Sequence, residues 1–220
     1  IMPACVPPHK PLPDRVTPQQ RYAMAALMAA PVGRCAQASD IELHRTGKSY
    51  TSDTLQTLHE QYPDAELWLL MGSDMFLSLH TWHEPEVICA LAHIAAFSRV
   101  EEDIRAAMER QKQTLKQQYR AEVALLNNPQ LIELSSTDVR AALAAGGGSE
   151  LVPEAVWGYI RREHLYGTQA DLKHLTVEEL RPIAMSYLKP KRMPHVLGAA
   201  EEAARLARRY GADETQARVA

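Results

Sequence analysis

The sequence contains few cysteines, and it contains no apolar stretch that could cross a membrane. Its three cysteines, Cys5, Cys35 and Cys89, lie far apart without a C-x-x-C spacing, which argues against a disulfide framework and against a cysteine-rich metal site. No apolar run approaches the roughly 20 residues of a transmembrane helix, and no basic-then-apolar secretion signal opens the chain. We therefore expect a reduced, cytoplasmic setting with no membrane partner.

The sequence also lacks a large excess of charge of either sign. Its 24 Lys and Arg residues nearly balance its 27 Asp and Glu residues, which gives a formal net charge of −3 at pH 7. We expect no nucleic-acid partner, because a broad nucleic-acid-binding face is normally basic. A local basic pocket for a small anion is compatible with this net charge. With 46% apolar and 23% charged residues, the chain has the composition of a globular protein that folds without metal or disulfides.

Two short apolar runs predict strands of a parallel sheet. Leu67–Met71 and His93–Phe97 are too short for helices, and polar residues typical of turns follow both. Helical segments separate these runs, so we predict βαβ units and an α/β fold with a doubly wound parallel sheet, which binds ligands at the carboxyl ends of its strands. Trp68, inside the first run, and Trp157 are predicted to be core residues. Further strands are predicted at Ile1–Val6, Ile41–His44 and Gln130–Leu134.

Three hydroxyl residues mark the most informative stretch of the chain. Ser135, Ser136 and Thr137 follow the last predicted strand and open a helix that carries Arg140 one turn later. N-cap oxygens, unpaired backbone N–H groups and an arginine in the first turns of a helix are together typical of a phosphate-binding site. The same hydroxyls are equally typical of a simple helix cap, so both interpretations stay open.

Both ends of the sequence indicate a fragment of a longer protein. Residue 1 is Ile rather than Met, and the chain stops at Ala220 inside an alanine-rich helical pattern without a stop signal. We predict a first domain at 1–167, a polar linker at 168–175 and the start of an all-α second domain at 176–220.

Eight segments of the chain, each of them weak evidence alone, together indicate one protein family by their order and spacing. They are Pro7–Lys10, Ser49–Leu55, Gly72–Asp74, Trp82–His83, Arg99, Ser135–Arg140, Leu151–Pro153 and Leu165–Tyr166. In this order they resemble the bacterial nicotinate-nucleotide adenylyltransferases, a family of the HxGH nucleotidyltransferase superfamily with a Rossmann-like α/β fold. The resemblance extends from position 1 to about position 167.

The resemblance implies transfer of the adenylyl group of ATP to nicotinate mononucleotide, giving deamido-NAD and pyrophosphate in NAD biosynthesis. Such a displacement requires neutralisation of phosphate charge, usually with Mg²⁺ on the polyphosphate. The resemblance makes Arg140 and Ser136 catalytic residues. It assigns ATP binding to Gly72, Asp74, Arg99, Ser135, Ser136, Thr137 and Arg140.

The resemblance also assigns five residues to nicotinate mononucleotide, and most of them have a simpler structural explanation. The five are His9, Lys10, Tyr50, Thr51 and Trp82. His9 and Lys10 follow two prolines that hold the backbone extended, although such a loop is also an ordinary solvated turn. Thr51 could meet the nicotinate carboxylate or simply cap a helix, and Trp82 could stack on the pyridine ring or pack in the core. Asp74 is likewise a common turn residue.

The H-x-G-H motif of the superfamily does not occur in the 220 residues. The resemblance implies that this motif precedes residue 1, because the chain begins inside the predicted second strand and a βαβ unit takes about 30 residues. We therefore expect the 220 residues by themselves to be inactive.

Residues 191–198, followed by an alanine-rich helix, are similar to the start of HD-family phosphohydrolase domains. This similarity implies that His195 is the first ligand of a divalent metal. It leaves open a metal-dependent HD-type nucleotide phosphohydrolase in which the first domain is a nucleotide-binding module. A pantetheine-phosphate adenylyltransferase is the other alternative, because it could share the Ser-Ser-Thr-x-x-Arg segment.

Overall fold

The computed structural model describes residues 1–8, 16–98, 102–127, 135–169 and 171–219. The strands in these ranges are β1 (Trp68–Gly72), β2 (His93–Ser98) and β3 (Val123–Asn127). The α-helices are α1 (Pro18–Ala29), α2 (Thr51–Gln61), α3 (Ser73–Ser78), α4 (Pro85–Leu91), α5 (Glu102–Tyr119), α6 (Ser136–Ala144), α7 (Glu154–Arg162), α8 (Val177–Ser186), α9 (Met193–Tyr210) and α10 (Glu214–Val219). None of these helices combines the length and the apolar composition that a membrane span needs.

The chain divides into two compact units, each with its own apolar core. The sheet unit comprises the described residues within 6–10 and 46–133, and therefore contains the three strands with helices α2 to α5. The helical unit comprises the described residues within 1–5, 11–45 and 134–220. The predicted α/β class with a parallel sheet and a mostly helical carboxyl-terminal portion is confirmed.

Three parallel strands in the order β1-β2-β3 form the sheet. In its register, Leu70 lies opposite Ala95, and Ala95 lies opposite Ala124. Strands β1 and β2 confirm the two predicted apolar strands to within one residue. The sequence analysis did not predict β3, although its continuous Val-Ala-Leu-Leu run followed by Asn-Asn-Pro is a strand signal with a turn behind it.

Helices α3, α4 and α5 cover one face of the sheet. Phe76, Ile88, Met108 and Leu115 from these helices are fully buried in one cluster with Ile94 of β2. The spacing of Met108 and Leu115 places both on one side of α5, as the helical pattern predicts. This packing holds the carboxyl ends of the strands at one edge of the unit.

Trp68 is not a core residue, so that prediction is wrong. Its side chain is 48% exposed, because residues 69 and 71 of β1 face the packed helices and the alternation of a strand turns Trp68 and Leu70 to the other face. Trp157 does pack against the core of the helical unit, as predicted.

The helical unit begins with a well-capped helix. Thr17 and Gln20 form a capping box at the start of α1, where the Gln20 amide N–H donates to Thr17 Oγ1 over 3.2 Å and the Thr17 N–H donates to Gln20 Oε1 over 2.9 Å. Pro18 occupies the first turn, as predicted for this segment. Leu143 and Ile160 are among the buried residues of the core that α1 shares with α6, α7 and α9.

Helix α8 packs directly on α7, across the predicted linker. A Cβ atom on Gly158 would collide with the backbone of Pro182, so only glycine fits at this crossing. Two ion pairs join the same helices, Arg161 with Glu179 at 2.9 Å and Arg181 with Glu154 at 2.7 Å. The compact unit thus continues past residue 175, and the assignment of 176–220 to the start of an HD-type domain stays a prediction.

Two predicted strands are wrong. Ile41–His44 forms a single 3₁₀ turn, and residues 1–6 have isolated backbone hydrogen bonds rather than a strand ladder. In that segment the Ile1 ammonium donates to the Gln37 carbonyl over 2.8 Å, and the Ser39 N–H donates to the Ile1 carbonyl over 2.9 Å. The strand predicted at 130–134 lies outside the described residues.

Candidate functional site

Helix α2 begins after Tyr50 and carries one acidic residue, Asp53, in its first turn. Tyr50 is the N-cap residue, with an extended backbone (φ −87°, ψ 139°), and its side chain makes no capping hydrogen bond. The Tyr50 carbonyl accepts hydrogen bonds from the Thr54 N–H at 3.3 Å and from the Thr54 hydroxyl at 3.2 Å. The first N–H groups of a helix have no partner within it, so this helix end can bind an anion such as a carboxylate.

A pair of aromatic rings lies beside this helix end. The rings of Tyr50 and His83 are 4.2 Å apart between centroids and inclined by 33°. The neighbouring Trp82 is half-buried against the core, and its Nε1–H donates to Ser78 Oγ over 3.3 Å. The structure therefore brings Tyr50 and Thr51 together with the Trp82–His83 segment, which lies about 30 residues further along the chain.

The sequence analysis missed His83 as a candidate site residue. Its only local signal is its position directly after Trp82. The backbone at Glu84, the next residue, is left-handed with φ 50°, which is uncommon for a residue with a side chain. This turn ends at Pro85, where α4 begins.

Gly72 and Asp74 lie at the carboxyl end of β1, where a parallel sheet binds its ligands. Gly72 is the N-cap residue of α3, and a Cβ atom on it would meet no atom within 4 Å, so the backbone is open to close approach. Asp74 is an exposed carboxylate in the first turn of α3. Their position agrees with the sequence analysis, and their contact with ATP stays a prediction.

The amino terminus of α6 is closed by the side chain of Asp138. The Asp138 N–H donates to Ser135 Oγ over 3.1 Å, while Asp138 Oδ2 accepts the Ser135 N–H at 3.1 Å and the Ser135 hydroxyl at 2.6 Å. The hydrogen bond from the Ser135 hydroxyl, followed by that from the Ser135 N–H, lowers the pKa of the Asp138 carboxyl. Ser135 therefore caps the helix within the chain, and an ionised carboxylate already lies at this helix end.

Arg140 and Thr137 line a cavity of about 870 Å³ in the helical unit. Arg140 is half-buried, and its Nη2 donates to Thr137 Oγ1 over 3.4 Å. The wall opposite α6 includes His164 and Tyr166, both in the left-handed region with φ 51° and 56°. A guanidinium in a cavity of this size can receive a phosphate. Ser136, in contrast, is exposed in the first turn of α6 and does not line this cavity.

The four remaining predicted site residues are His9, Lys10, Arg99 and His195. His9, Lys10 and Arg99 lie outside the described residues. His195 is exposed in the first turn of α9, and the described part of the chain contains no group of three or more His, Cys, Asp or Glu side chains that could hold a metal. The metal-binding role of His195 stays a prediction.

Two bacterial proteins similar to this chain carry the same name. A protein of Lachnoclostridium phytofermentans named "Probable nicotinate-nucleotide adenylyltransferase" is 32% identical over 167 residues, which cover 76% of this chain and 82% of that protein. A protein of the same name from Synechococcus sp. (strain JA-3-3Ab) is 38% identical over 166 residues, covering 75% of this chain and 78% of that protein. No protein-family model matches the chain.

A solved structure supports the same fold. The nicotinic acid mononucleotide adenylyltransferase of Plasmodium falciparum, complexed with NaAD, superposes with a TM-score of 0.56 at 18% identity, covering 76% of this chain and 82% of that one. A similarity at this identity concerns the fold alone. The sequence identity and coverage of the bacterial relatives, however, establish common membership, and the chain belongs to the nicotinate-nucleotide adenylyltransferase family.

Proposed function

We propose that this chain transfers the adenylyl group of ATP to the phosphate of nicotinate mononucleotide, giving deamido-NAD and pyrophosphate. The observation that supports this proposal is the similarity, along three quarters of the chain, to proteins named nicotinate-nucleotide adenylyltransferase. In the reaction, a phosphate oxygen of the mononucleotide attacks the α-phosphorus of ATP, and the bond from that phosphorus to the pyrophosphate oxygen breaks. No covalent intermediate with the protein is required.

Arg140 is the residue that we assign to charge neutralisation at the reacting phosphates. Its guanidinium lines the cavity beside Thr137, whereas the amino terminus of α6 is already neutralised by Asp138. The positive charge in the first turns of α6 is therefore that of the arginine side chain rather than that of the helix end. Donors directed at a developing negative charge each contribute roughly 3 kcal/mol of transition-state stabilisation. The hydroxyl of Thr137, which lines the same cavity, would add a neutral donor, and the catalytic role of Ser136 stays a prediction.

The amino terminus of α2 is the group that we assign to the nicotinate carboxylate. Its N–H groups are donors only, so they favour a carboxylate, whereas the amide of nicotinamide would turn either one oxygen or an unmatched NH₂ group toward them. The rings of Tyr50 and His83 lie beside the same helix end and would provide flat surfaces for a pyridine ring, and Trp82 directly precedes His83 in the chain.

The residues of the chain fit a Mg²⁺ ion that arrives with ATP. Mg²⁺ is typically held by one or two carboxylates together with substrate phosphates and water, and Asp74 is an exposed carboxylate at the carboxyl end of β1. Bound there, Mg²⁺ would neutralise charge on the polyphosphate. The HD resemblance implies a second metal site, with His195 as a ligand, and we keep this as a proposal. Among the described residues, no group of metal-binding side chains includes His195.

A pyrophosphate-release assay with Mg²⁺-ATP tests the activity. We expect release to depend on nicotinate mononucleotide and to be much slower with nicotinamide mononucleotide. Because the 220 residues contain no H-x-G-H, we expect this chain to bind both substrates and to turn over only when a segment with that motif is supplied. Equal or faster turnover with phosphopantetheine would reject the substrate assignment. Metal-dependent nucleotide hydrolysis without any acceptor would favour the phosphohydrolase alternative.

A further inference from the structure

A basic groove lies at the opposite end of the sheet from Gly72 and Asp74. It has a volume of about 570 Å³ and is lined by residues that begin β1 and β3 and by the carboxyl-terminal half of α5. The two ends of β1 are about 13 Å apart, from a rise of about 3.3 Å per residue. The lining residues are Trp68, Lys112, Lys116, Arg120, Ala121, Glu122, Val123 and Ala124.

Three cations follow one another along this groove. Lys112 and Lys116 are four residues apart on α5, which places them on one side of the helix with a rise of about 6 Å between them. Arg120 follows the last residue of α5 in a left-handed conformation with φ 55°, and its side chain also lines the groove. None of these three side chains forms an ion pair with another described residue. The groove therefore has three cationic side chains and one acidic side chain, Glu122, in its lining.

Trp68 is held in a fixed orientation at the other end of the groove. Its Nε1–H donates to Glu66 Oε1 over 3.0 Å, and its ring lies 4.9 Å from the ring of His93 between centroids. His93 is itself held on both sides, with Nε2 at 3.3 Å from Glu66 Oε1 and Nδ1 at 3.0 Å from Glu122 Oε2. The indole nevertheless remains 48% exposed. An exposed indole that hydrogen bonding has already oriented can stack on a ligand with little further loss of side-chain entropy.

We propose that this groove binds a nucleoside polyphosphate, with its phosphates on Lys112, Lys116 and Arg120 and its base on Trp68. Three cations in a row match a chain of phosphates better than a single anion, and an aromatic platform beside them matches a base. Glu122, the acidic residue of the groove, has Oε2 at 3.0 Å from His93 Nδ1, and the three cations outnumber it. The site is independent of the proposed catalytic activity, since none of these residues is assigned to it.

Photoaffinity labelling with 8-azido-ATP, followed by peptide mapping, tests the proposal. We expect label in the peptides that contain Trp68 or residues 112–124, in addition to any label near residues 72–82. In the double variant K112Q/K116Q, the affinity of the groove for 8-azido-ATP, measured from the labelling of its peptides, should fall about tenfold or more, because charge-assisted contacts to phosphate are lost. The matched control is R105Q/R110Q, which removes two positive charges from exposed positions of the same helix outside the groove. It should change the affinity by less than about twofold.

Two further measurements separate the parts of the proposal. Inorganic tripolyphosphate should compete with the label more weakly than ATP, and Trp68→Leu should remove this difference while the thermal unfolding curve stays unchanged. If both double variants reduced the labelling of the groove equally, the proposal would be overturned, because the labelling would then respond to net charge alone. So would the absence of label from the groove peptides, or equal competition by tripolyphosphate and ATP in the unsubstituted chain.

Discussion

Helices α2 and α6 both begin at segments that match the family, but their amino termini differ in what already lies there. At α6, Ser135 and Asp138 complete a capping box, so an ionised carboxylate of the chain itself lies against the first N–H groups. Helix α2 also carries an acidic residue, Asp53, in its first turn, but its N-cap residue is Tyr50, whose side chain makes no capping hydrogen bond. A start rich in hydroxyl residues is therefore not by itself an anion site. In the proposed function, recognition near α6 therefore depends on the Arg140 side chain, and recognition at α2 depends on the backbone.

The largest effect is expected from Arg140→Ala. If α6 contributes through this side chain rather than through its helix end, the substitution should lower kcat/KM about a hundredfold, which corresponds to the loss of one transition-state donor. Arg140→Lys keeps the positive charge but loses the planar guanidinium, so its kcat/KM should lie between those of the unsubstituted chain and Arg140→Ala. Steady-state kinetics on the protein that contains the H-x-G-H motif measures this, with circular dichroism as the check on folding. A near-normal rate for Arg140→Ala would remove Arg140 from the site.

A proline at position 51 tests the backbone of α2. Thr51 is the first residue of the helix, where proline is well tolerated, and the extended backbone of Tyr50 suits a residue before proline. Thr51→Pro removes one N–H donor, and we expect about tenfold weaker binding of nicotinate mononucleotide by calorimetry.

Thr51→Ala is the matched control, because it removes the hydroxyl and keeps the N–H. Its affinity for the mononucleotide should stay within about twofold of the unsubstituted chain. If alanine weakens binding as much as proline does, the hydroxyl rather than the backbone is the donor.

Trp82→Ala asks whether the aromatic residues beside α2 contact the ligand. Loss of a stacking contact worth roughly 1 kcal/mol should lower the affinity for nicotinate mononucleotide about fivefold and leave the affinity for ATP unchanged. Trp82→Phe should retain most of the affinity. Because Trp82 is half-buried against the core, an equal loss for both ligands would identify it as a packing residue.

The smallest effect concerns the cap of α6 and its dependence on pH. Hydrogen bonds from Ser135 lower the pKa of Asp138 in the folded chain, so the stabilisation from this carboxylate is present above the unfolded pKa of about 3.9 and is lost as the pH falls through the lower folded value. The difference in melting temperature between the unsubstituted chain and Asp138→Ala should therefore be constant from about pH 7 to 5 and shrink below about pH 4. A difference that is independent of pH down to about pH 2 would show that the carboxylate charge does not support the cap.

Local signals predicted several elements correctly. The apolar runs at 67–71 and 93–97 are strands, and the Thr-Pro-Gln-Gln pattern at 17–20 begins α1 with a capping box. These patterns depend on neighbours within a few residues, so they can be recognised without the fold. The 3₁₀ turn at Ile41–His44 was misassigned because a four-residue alternation does not distinguish a strand from a turn.

The environment of the tryptophans could not be predicted in the same way. Trp68 lies in the more apolar segment, yet it is 48% exposed, whereas Trp82 lies between polar residues and packs against the core. Burial depends on which face of a strand or turn the helices cover, and the residues that cover it come from distant parts of the chain. The contact of His83 with Tyr50 was missed for the same reason.

The amino-acid sequence by itself determined the class of fold, the positions of β1, β2 and the capped helices, and the family, because periodicity, caps and ordered motifs are local properties of the chain. Only the tertiary structure decided that Asp138 closes the end of α6, that α2 starts beside two aromatic side chains, and that Lys112, Lys116 and Arg120 share a groove with Trp68. Those arrangements depend on the direction of side chains and on contacts between elements, and such contacts form only when the helices and the sheet pack.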